Sequence, residues 1–357
     1  MINFEVLYSM GHEQVLFFSD PSCKLKAIVA IHDTTLGPAL GGTRMLPYKS
    51  DEEAITDVLR LSRGMTYKSS LAGLHLGGGK AVIIGDPSTD KSEALFRSYG
   101  RFLESLNGRY ITAEDVNINE SDLLHIKRET NHVVGLCESY GGSGNPGPYT
   151  ALGVFLSIEA SCYKVFGVNS VKNKTVGIQG VGSVGSALGE LLLKNHATVY
   201  FTDVNQKNIE LFTQRCPQAH YVKPEDIYSL DVDIYSPCAL GATINDDTVE
   251  KLKCKMVVGS ANNQLKEDRH GDILKKRNIL YGPDYLVNAG GVMNVGLERY
   301  GWTKDKSLKN IQNIYDTTLK VYKLSDEKDI PTNLAADLLA KERLTSIKNL
   351  KISAKNF

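Results

Sequence analysis

The stretch that decides the fold is VGIQGVGSVG, residues 176–185. Its first residues are typical of a buried strand, and its last residues begin a helix that we predict from Val184 to Asn195. The next stretch, TVYFTD at Thr198–Asp203, predicts a second strand of the same kind. Strand, helix and strand in this order are typical of a parallel sheet with helices on its faces.

Three glycines between the first strand and the helix form a GxGxxG pattern: Gly180, Gly182 and Gly185. In a dinucleotide-binding turn the first allows a tight bend, the second lets the backbone approach a pyrophosphate, and the third allows close helix–strand packing. Asp203, at the end of the next strand, is placed to bond both ribose hydroxyls and to repel a 2′-phosphate. The pattern predicts an NAD site; a structural turn and, for Asp203, a solvated loop acid are the alternatives.

The length of 357 residues predicts two domains of ordinary size. The glycine cluster Tyr140–Thr150 is the predicted linker, because it interrupts regular structure. Further buried strands of a parallel sheet are predicted at Val232–Pro237, Lys255–Ser260 and Asn278–Asp284. The expected fold class is α/β, with an amino-terminal α/β domain over residues 1–140 and a doubly wound, Rossmann-type domain over residues 141–330.

The amino-terminal domain is predicted to contain strands at Leu25–Asp33 and Lys80–Asp86. Helices are expected over about 92–106 and 121–130, and from Asp51, where Ser50 and Glu53 match a capping box. The helices of about 330–357 are expected to pack back onto this domain. Within them Leu334, Leu338, Leu339 and Leu344 are spaced for one apolar face.

Composition narrows the classes of partner. Lys+Arg and Asp+Glu both number 41, so no net charge attracts nucleic acid or an anionic membrane. No apolar run is long enough to span a bilayer, and the first residues lack the regions of a signal peptide, so we expect a cytoplasmic protein. The six cysteines form no CxxC pair and the eight histidines lack metal spacing, so structural thiols and no metal site are expected.

A second glycine-rich stretch carries candidate acid–base groups. Residues 65–80 are MTYKSSLAGLHLGGGK, in which Lys68 and Lys80 flank a predicted flexible apolar loop. An ammonium that loses hydration has a lowered pKa and can exchange protons. Residues 113–117, AEDVN, supply an acidic loop. The two stretches together predict an acid–base site, although each lysine alone is more typical of a surface residue.

Several motifs, in this order, resemble the amino-acid dehydrogenase superfamily of glutamate, leucine, phenylalanine and valine dehydrogenases. They are GPALGGTR at Gly37–Arg44, GMTYK at Gly64–Lys68, GGGK at Gly77–Lys80 and the Gly180–Gly185 pattern. The resemblance extends from about Met10 to Tyr300 and is strongest to the leucine-specific members. It implies that the first domain binds substrate, that the Rossmann domain binds NAD, and that the active site lies in a cleft between them. The implied reaction is the reversible, NAD-dependent oxidative deamination of an L-amino acid to a 2-oxo acid and ammonia.

The resemblance also implies a role for individual residues. Lys80 would be the general base, Asp115 would relay protons to and from the substrate nitrogen, and Lys68 would hold the substrate carboxylate. Further substrate contacts are implied at Leu40, Gly41, Gly42, Met65, Ala113, Asn262, Val292 and Val295. Cofactor contacts are implied at Thr150, Gly180, Val181, Gly182, Ser183, Val184, Gly185, Ser186, Asp203, Ala239 and Asn288.

The expected substrate follows from apolar residues in the implied pocket. Glutamate dehydrogenases place a lysine near Leu40 and a serine near Val295, and an unpaired carboxylate buried among apolar groups would be strongly unfavourable. Leu40, Ala113, Val292 and Val295 would instead fit a branched aliphatic side chain, as in branched-chain amino-acid catabolism. Leucine, isoleucine and valine are the expected substrates, and plain core packing is the alternative for each pocket residue.

Two other functions stay open at this point. A valine or phenylalanine dehydrogenase would use the same site with a different pocket volume. A non-catalytic NAD-binding regulator would keep the fold without the reaction. Members of the superfamily form homo-oligomers, often octamers, so a homo-oligomer is expected.

Overall fold

The computed structural model describes residues 4–353, which divide into two compact units. The first unit contains the described residues up to Asn145, Val295–Thr303 and the described chain from Ala340. The second contains Pro146–Asn294 and Lys304–Leu339. Each unit has its own sheet and its own apolar core.

The first unit is built on a mixed sheet. Its described strands are β1 (Gln14–Asp20), β2 (Leu25–Asp33), β3 (Ala39–Leu40), β4 (Thr43–Leu46), β5 (Gly77–Ile84) and β6 (Tyr110–Ile111). The helices in the same part of the chain are α1 (Phe4–Met10), α2 (Asp51–Leu71), α3 (Glu93–Ser105) and α4 (Glu120–Lys127). The strand order is β1-β2-β5-β3-β6, with β4 also paired to β5. β5 is antiparallel to β2 and parallel to β3 and β4.

The central strands of this sheet are buried on both faces. Alternate residues of β2 enter different cores, as strand geometry requires. Val29 and Ile31 pack with residues of α3 and α4, whereas Ile28 and Ala30 pack with Val58 and other residues of α2. The predicted strand Leu25–Asp33 is therefore confirmed, with helices on both sides of the sheet.

The start of α2 differs in one contact from the predicted capping box. The Ser50 side chain accepts a hydrogen bond from the backbone N–H of Glu53, as expected. The Glu53 carboxylate, however, accepts from the backbone N–H of Lys49 at 2.7 Å, one residue before the cap. The helix therefore has an N-cap, but the reciprocal half of the box is shifted by one residue.

The glycines of GGGK form a strand, so the prediction of a flexible loop was wrong. Residues 65–71 are the last turns of α2, and Gly77–Gly79 begin β5, three residues before the predicted strand. A Cβ atom on Gly78 would lie 2.1 Å from the Thr66 backbone nitrogen. The glycines are thus required by the close packing of β5 against α2.

The second unit is built on a parallel sheet. Its described strands are β7 (Thr175–Gln179), β8 (Thr198–Thr202), β9 (His220–Tyr221), β10 (Ile234–Pro237), β11 (Met256–Val257) and β12 (Leu280–Tyr281), in the order β12-β11-β10-β7-β8-β9. The later helices are α5 (Gly147–Phe166), α6 (Ser183–Lys194), α7 (Gln206–Arg215), α8 (Arg269–Lys276), α9 (Asp284–Val287), α10 (Gly290–Gly296), α11 (Lys304–Ile311), α12 (Asn313–Lys328) and α13 (Thr332–Ser353). Short 3₁₀ helices lie at Glu138–Tyr140, Ile227–Ser229, Val249–Lys251 and Leu297–Tyr300.

Both faces of this second sheet are covered. Ile234 and Met256 belong to one apolar core, and the next residues along the same strands, Tyr235 and Val257, belong to another. A parallel sheet buried on both faces is the doubly wound arrangement. The predicted fold class, α/β with a Rossmann-type second part, is confirmed.

Two sequence expectations are corrected by the carboxyl-terminal helices and the linker. The predicted linker ends early, because α5 begins at Gly147 and Pro148 suits the first turn of a helix. In α13 the leucines do not form the buried face. Ala335, Ala336 and Ala340 are fully buried there, whereas Leu334 and Leu338 are 38% and 41% exposed. The buried face of α13 is therefore formed by alanines, and Leu334 and Leu338 lie outside it.

No helix within residues 4–353 is both long and apolar enough to cross a membrane.

The carboxyl end of α2 is fixed by Arg343, and we predict that this contact stabilises the first unit. The guanidinium donates to the carbonyls of Ser70 and Leu74, at 2.6 and 2.9 Å. Because hydrogen bonds from charged donors are among the stronger ones, Arg343→Ala is expected to lower the free energy of unfolding by about 2 kcal/mol.

Urea unfolding followed by the fluorescence of Trp302 measures this, since it is the single tryptophan of the chain and belongs to the same unit. Lys348→Ala, at an exposed position of α13, is the matched control and should leave the midpoint unchanged. Equal midpoints for the two variants would show that Arg343 does not stabilise this unit.

Candidate active site

The predicted base and proton relay, Lys80 and Asp115, are in contact. Lys80 lies on β5, Asp115 follows β6, and β3 pairs with both of these strands. The Lys80 Nζ atom donates a hydrogen bond to Asp115 Oδ2, and the two side chains are only 8% and 15% exposed. The structure therefore brings together the two groups that sequence reasoning placed in one acid–base site.

The pKa of the Lys80 ammonium is lowered to about 7, and burial is the largest cause. The positive charges of Arg44 and then Lys68 contribute to this lowering, and the negative charge of Asp57 acts in the opposite direction. A lysine with this pKa is partly neutral near neutral pH, so it can both accept and donate a proton. The arrangement has the electrostatics of a general base.

Asp115 is held so that one oxygen faces Lys80. Its other oxygen, Oδ1, accepts hydrogen bonds from the Val116 backbone N–H at 2.6 Å and from Arg44 Nη2 at 3.3 Å. These contacts fix the plane of the carboxylate. Sequence reasoning quoted Arg44 only as the last residue of a family motif and assigned it no role.

The predicted carboxylate-binding residues lie on α2 and around β3. Lys68, in the last turn of α2, is near enough to Lys80 for its charge to affect the pKa of that residue, and Met65 lies one turn earlier. The N–H of Gly41 donates to the Ile111 carbonyl at 3.1 Å, so it is already used within the sheet. The contact of the Gly42 backbone with a substrate stays a prediction.

Two of the residues predicted for the side-chain pocket, Ala113 and Val295, come close to the same glycine in the first unit. Leu40 and Val295 are buried and Ala113 is half-buried. A Cβ atom on Gly135 would lie 3.8 Å from the Val295 side chain and 3.9 Å from that of Ala113, so Gly135 lies between them. Val292 belongs to the second unit and is also buried.

Glu298 makes contacts with Gly135 and Ser143 that the sequence did not indicate. Its carboxylate accepts hydrogen bonds from the N–H of Gly135 at 3.1 Å and from the N–H and hydroxyl of Ser143 at 2.8 and 2.6 Å. These contacts fix Gly135 beside the apolar residues. No spacing in the sequence links positions separated by more than 150 residues, so only the structure reveals them.

The predicted dinucleotide turn is present in the second unit. Gly180 directly follows β7 and has φ +95°, and a Cβ atom there would lie 2.6 Å from the Cβ of Ala239. A Cβ atom on Gly185 would lie 1.9 Å from the Gly180 carbonyl oxygen, whereas one on Gly182 would meet nothing within 4 Å. Gly180 and Gly185 are therefore needed for packing, whereas Gly182 leaves open space beside the backbone.

Other predicted cofactor residues support this turn. Ser183 and Val184 begin α6, and the Ser186 hydroxyl donates to the Val181 carbonyl at 2.6 Å. The Asp203 carboxylate accepts from the Val181 N–H at 2.8 Å, so it links the second strand to the glycine turn. Asp203 thus stabilises the glycine turn, which the motif did not predict.

Among the remaining predicted residues of the second unit, Asn288 and Asn262 are joined by a hydrogen bond, and Thr150 bonds at the start of its own helix. The buried Asn288 donates to the Asn262 side-chain oxygen at 2.7 Å and to the Ser260 carbonyl at 3.0 Å. The Thr150 hydroxyl donates to the Pro146 carbonyl at 3.0 Å in the first turn of α5. Within residues 4–353, no group of three or more His, Cys, Asp or Glu side chains could hold a metal ion.

Two family models match the chain. Residues 12–132 match the Glu/Leu/Phe/Val dehydrogenase dimerisation domain, and residues 195–351 match the Glutamate/Leucine/Phenylalanine/Valine dehydrogenase model. Together these matches include more than half of the chain.

Individual relatives agree with the family models. The chain is 52% identical to a leucine dehydrogenase of Bacillus cereus, over 97% of this chain and 94% of that protein. It is 49% identical to a phenylalanine dehydrogenase of Caldalkalibacillus thermarum, over 93% and 91% of the two chains. The crystal structure of an L-tryptophan dehydrogenase from Nostoc punctiforme superimposes with a TM-score of 0.86 at 45% identity, covering 97% of this chain and 99% of that one. The expected resemblance is confirmed, and the chain belongs to the Glu/Leu/Phe/Val dehydrogenase family.

Proposed function

We propose that the chain is an NAD-dependent L-leucine dehydrogenase. It converts leucine, NAD⁺ and water into the 2-oxo acid, ammonium, NADH and a proton, and catalyses the reverse reaction. The observation that carries this proposal is the buried contact between Lys80 and Asp115 in a chain of the amino-acid dehydrogenase family. A non-catalytic regulator would have no use for a buried lysine with a pKa of about 7.

The residues of the first unit have distinct chemical tasks in this proposal. The Lys68 ammonium holds the substrate carboxylate, with the backbone of Gly42 beside it. When bound, NAD⁺ would supply the acceptor for the hydride of the substrate α-carbon. Neutral Lys80 accepts a proton from the water that attacks the resulting imine, and Asp115 passes protons to and from the substrate nitrogen. Both proton transfers use groups that are already fixed in contact.

The second unit has the features that NAD binding requires. Open space at Gly182 and the N-terminus of α6 suit a pyrophosphate, because backbone N–H groups and the helix dipole both favour an anion there. Asp203 carries a carboxylate at the end of β8, where it would bond ribose hydroxyls and disfavour NADP. In the same unit, Thr150, Asn288 and Ala239 are proposed to contact the cofactor.

We predict different outcomes for alanine at two glycines of the turn. Gly182→Ala should fold normally, because nothing lies within 4 Å of the added methyl group, but should weaken NADH binding about tenfold or more, since the methyl occupies the approach to the pyrophosphate. Gly185→Ala should also lower the melting temperature, because its Cβ would overlap the Gly180 carbonyl.

Fluorescence titration with NADH and thermal unfolding measure the two effects. Lys194→Ala, at an exposed position near the end of α6, is the control. Unchanged NADH affinity in Gly182→Ala would refute the proposed pyrophosphate site.

Leucine is proposed as the preferred substrate because the proposed pocket residues are apolar. Gly135, held by Glu298, lies beside both Ala113 and Val295. Leu40, which is buried in the same unit, is proposed as a third apolar side chain of this pocket. A branched side chain of four carbons suits this lining, while a carboxylate would be unpaired and a phenyl ring would overfill it.

We predict that kcat/KM is at least about 100-fold higher for leucine than for glutamate, since each 1.4 kcal/mol is about tenfold and burying an unpaired carboxylate costs several times that. Leu40→Lys should lower kcat/KM for leucine and raise it for glutamate, whereas the apolar Leu40→Met should keep the preference for leucine. Initial rates of NADH formation with leucine, isoleucine, valine, phenylalanine and glutamate test this. A preference for phenylalanine or valine over leucine would favour the alternative dehydrogenases.

We predict that the rate of deamination depends on the protonation of Lys80. Because the neutral amine is the active form, kcat/KM should be low below about pH 7, where Lys80 is protonated, and should rise as the pH increases through that value. Lys80→Ala should lower kcat about 100-fold or more and leave NADH binding intact. The measurement is kcat/KM against pH for both proteins, and an unaltered acidic limb in Lys80→Ala would assign the titration to another group.

We also propose that the enzyme is a homo-oligomer. The match to the family's dimerisation domain supports this. A hetero-hexameric glutamate dehydrogenase of Thermus thermophilus has the same fold at 21% identity. An octameric assembly and a cytoplasmic location stay predictions.

A further inference from the structure

Arg44 contacts two carboxylates, one with each terminal nitrogen of its guanidinium group. Nη1 lies 3.1 Å from Asp57 Oδ2, and Nη2 lies 3.3 Å from Asp115 Oδ1. The Nε atom is buried and has no hydrogen-bond partner among residues 4–353. The two carboxylates therefore determine where this cation lies.

Asp57 is itself fixed. Its Oδ2 atom also accepts a hydrogen bond from the Tyr48 hydroxyl at 2.6 Å. Asp57 belongs to α2, the helix that carries Lys68, and Tyr48 lies in the segment between β4 and α2. The order Tyr48, Asp57, Arg44, Asp115, Lys80 is thus a continuous chain of contacts from the helix to the proposed base.

We propose that Arg44, held by Asp57 and Tyr48, is a positioning residue that keeps the Asp115 carboxylate against Lys80 and places a fixed positive charge beside that lysine. This inference rests on the proposed function of Lys80 as the base. Arg44 touches neither substrate nor cofactor in this account. Its effect is exerted through Asp115 and through the electrostatic field at Lys80.

The charges around Lys80 support this role. They are Asp115 in direct contact, Arg44 from β4, and Lys68 and Asp57 from α2. After burial, Arg44 is the largest influence that lowers the pKa of Lys80, and Asp57 raises it. Removing one or the other charge should therefore move the titration of Lys80 in opposite directions, which loss of packing alone would not do.

Three variants test the proposal: Arg44→Gln, Arg44→Lys and Asp57→Asn. In Arg44→Gln the midpoint of Lys80 titration should rise by about one pH unit, because a charge within a few ångströms is lost, and kcat should fall about tenfold as Asp115 loses its orientation. Arg44→Lys restores the charge, so the midpoint should return, but kcat stays low because one ammonium cannot bind both carboxylates in the geometry of the fork. Asp57→Asn can still accept both hydrogen bonds, so its midpoint should fall below that of the unaltered chain.

Two readouts keep this test separate from the proposed function. The first is kcat/KM for leucine against pH. The second is the pH dependence of Lys80 acetylation by trace acetic anhydride, read by peptide mass spectrometry, which requires no catalysis. If the unaltered chain does not oxidise leucine, the proposed function fails, while the acetylation midpoints still test Arg44.

Thermal unfolding identifies any variant that does not fold. Should Arg44→Gln be unfolded, the unchanged midpoint expected for Arg44→Lys and the lowered midpoint expected for Asp57→Asn decide the matter. The same acetylation midpoint in all folded variants, with a uniform loss of activity, would overturn the proposal and indicate a merely structural arginine.

Discussion

The contact between the Lys80 ammonium and the Asp115 carboxylate is the interaction on which the first unit's proposed chemistry depends. Burying either charge alone would be strongly unfavourable, so the two must be kept together. The sheet does this through backbone pairing, because β3 lies between the strand that carries Lys80 and the strand that precedes Asp115. Gly78 lets α2 approach β5, and α2 brings Lys68 and Asp57 near the pair. The glycine-rich strand is therefore a packing requirement with an electrostatic consequence.

In the second unit, glycines and a carboxylate together form the turn proposed to bind NAD. Gly180 and Gly185 allow the turn after β7 to pack against its neighbours, while Gly182 leaves the backbone open. Asp203 fixes the turn through the Val181 N–H and also carries the charge that would favour NAD. In both units, glycines allow close packing of the backbone, and a carboxylate that follows a neighbouring strand fixes a nearby group: Asp115 contacts Lys80, and Asp203 accepts from the Val181 N–H.

Periodicity and motifs predicted much of this from the sequence. The strand at residues 25–33, the glycine turn and the doubly wound second sheet could be predicted because short-range patterns determine them. Gly77–Gly79 were misassigned to a loop, since composition cannot distinguish a flexible glycine from one that is required by packing. The predicted buried face of α13 was wrong, because the buried residues there are alanines and not the leucines whose spacing suggested the face. The Arg44–Asp57 and Glu298–Gly135 contacts join distant positions, so only the fold brings them together.

The central claim is that Lys80 is a lysine with a strongly lowered pKa in the folded chain. A heteronuclear NMR titration of the protein labelled at the lysine side chains, with the Lys80 signal assigned from a Lys80→Arg variant, measures this directly and without substrate. The account predicts a midpoint of about 7. A midpoint near the ordinary lysine value of about 10.4 would contradict it, because Lys80 would then be a permanent cation at neutral pH and could not act as the base.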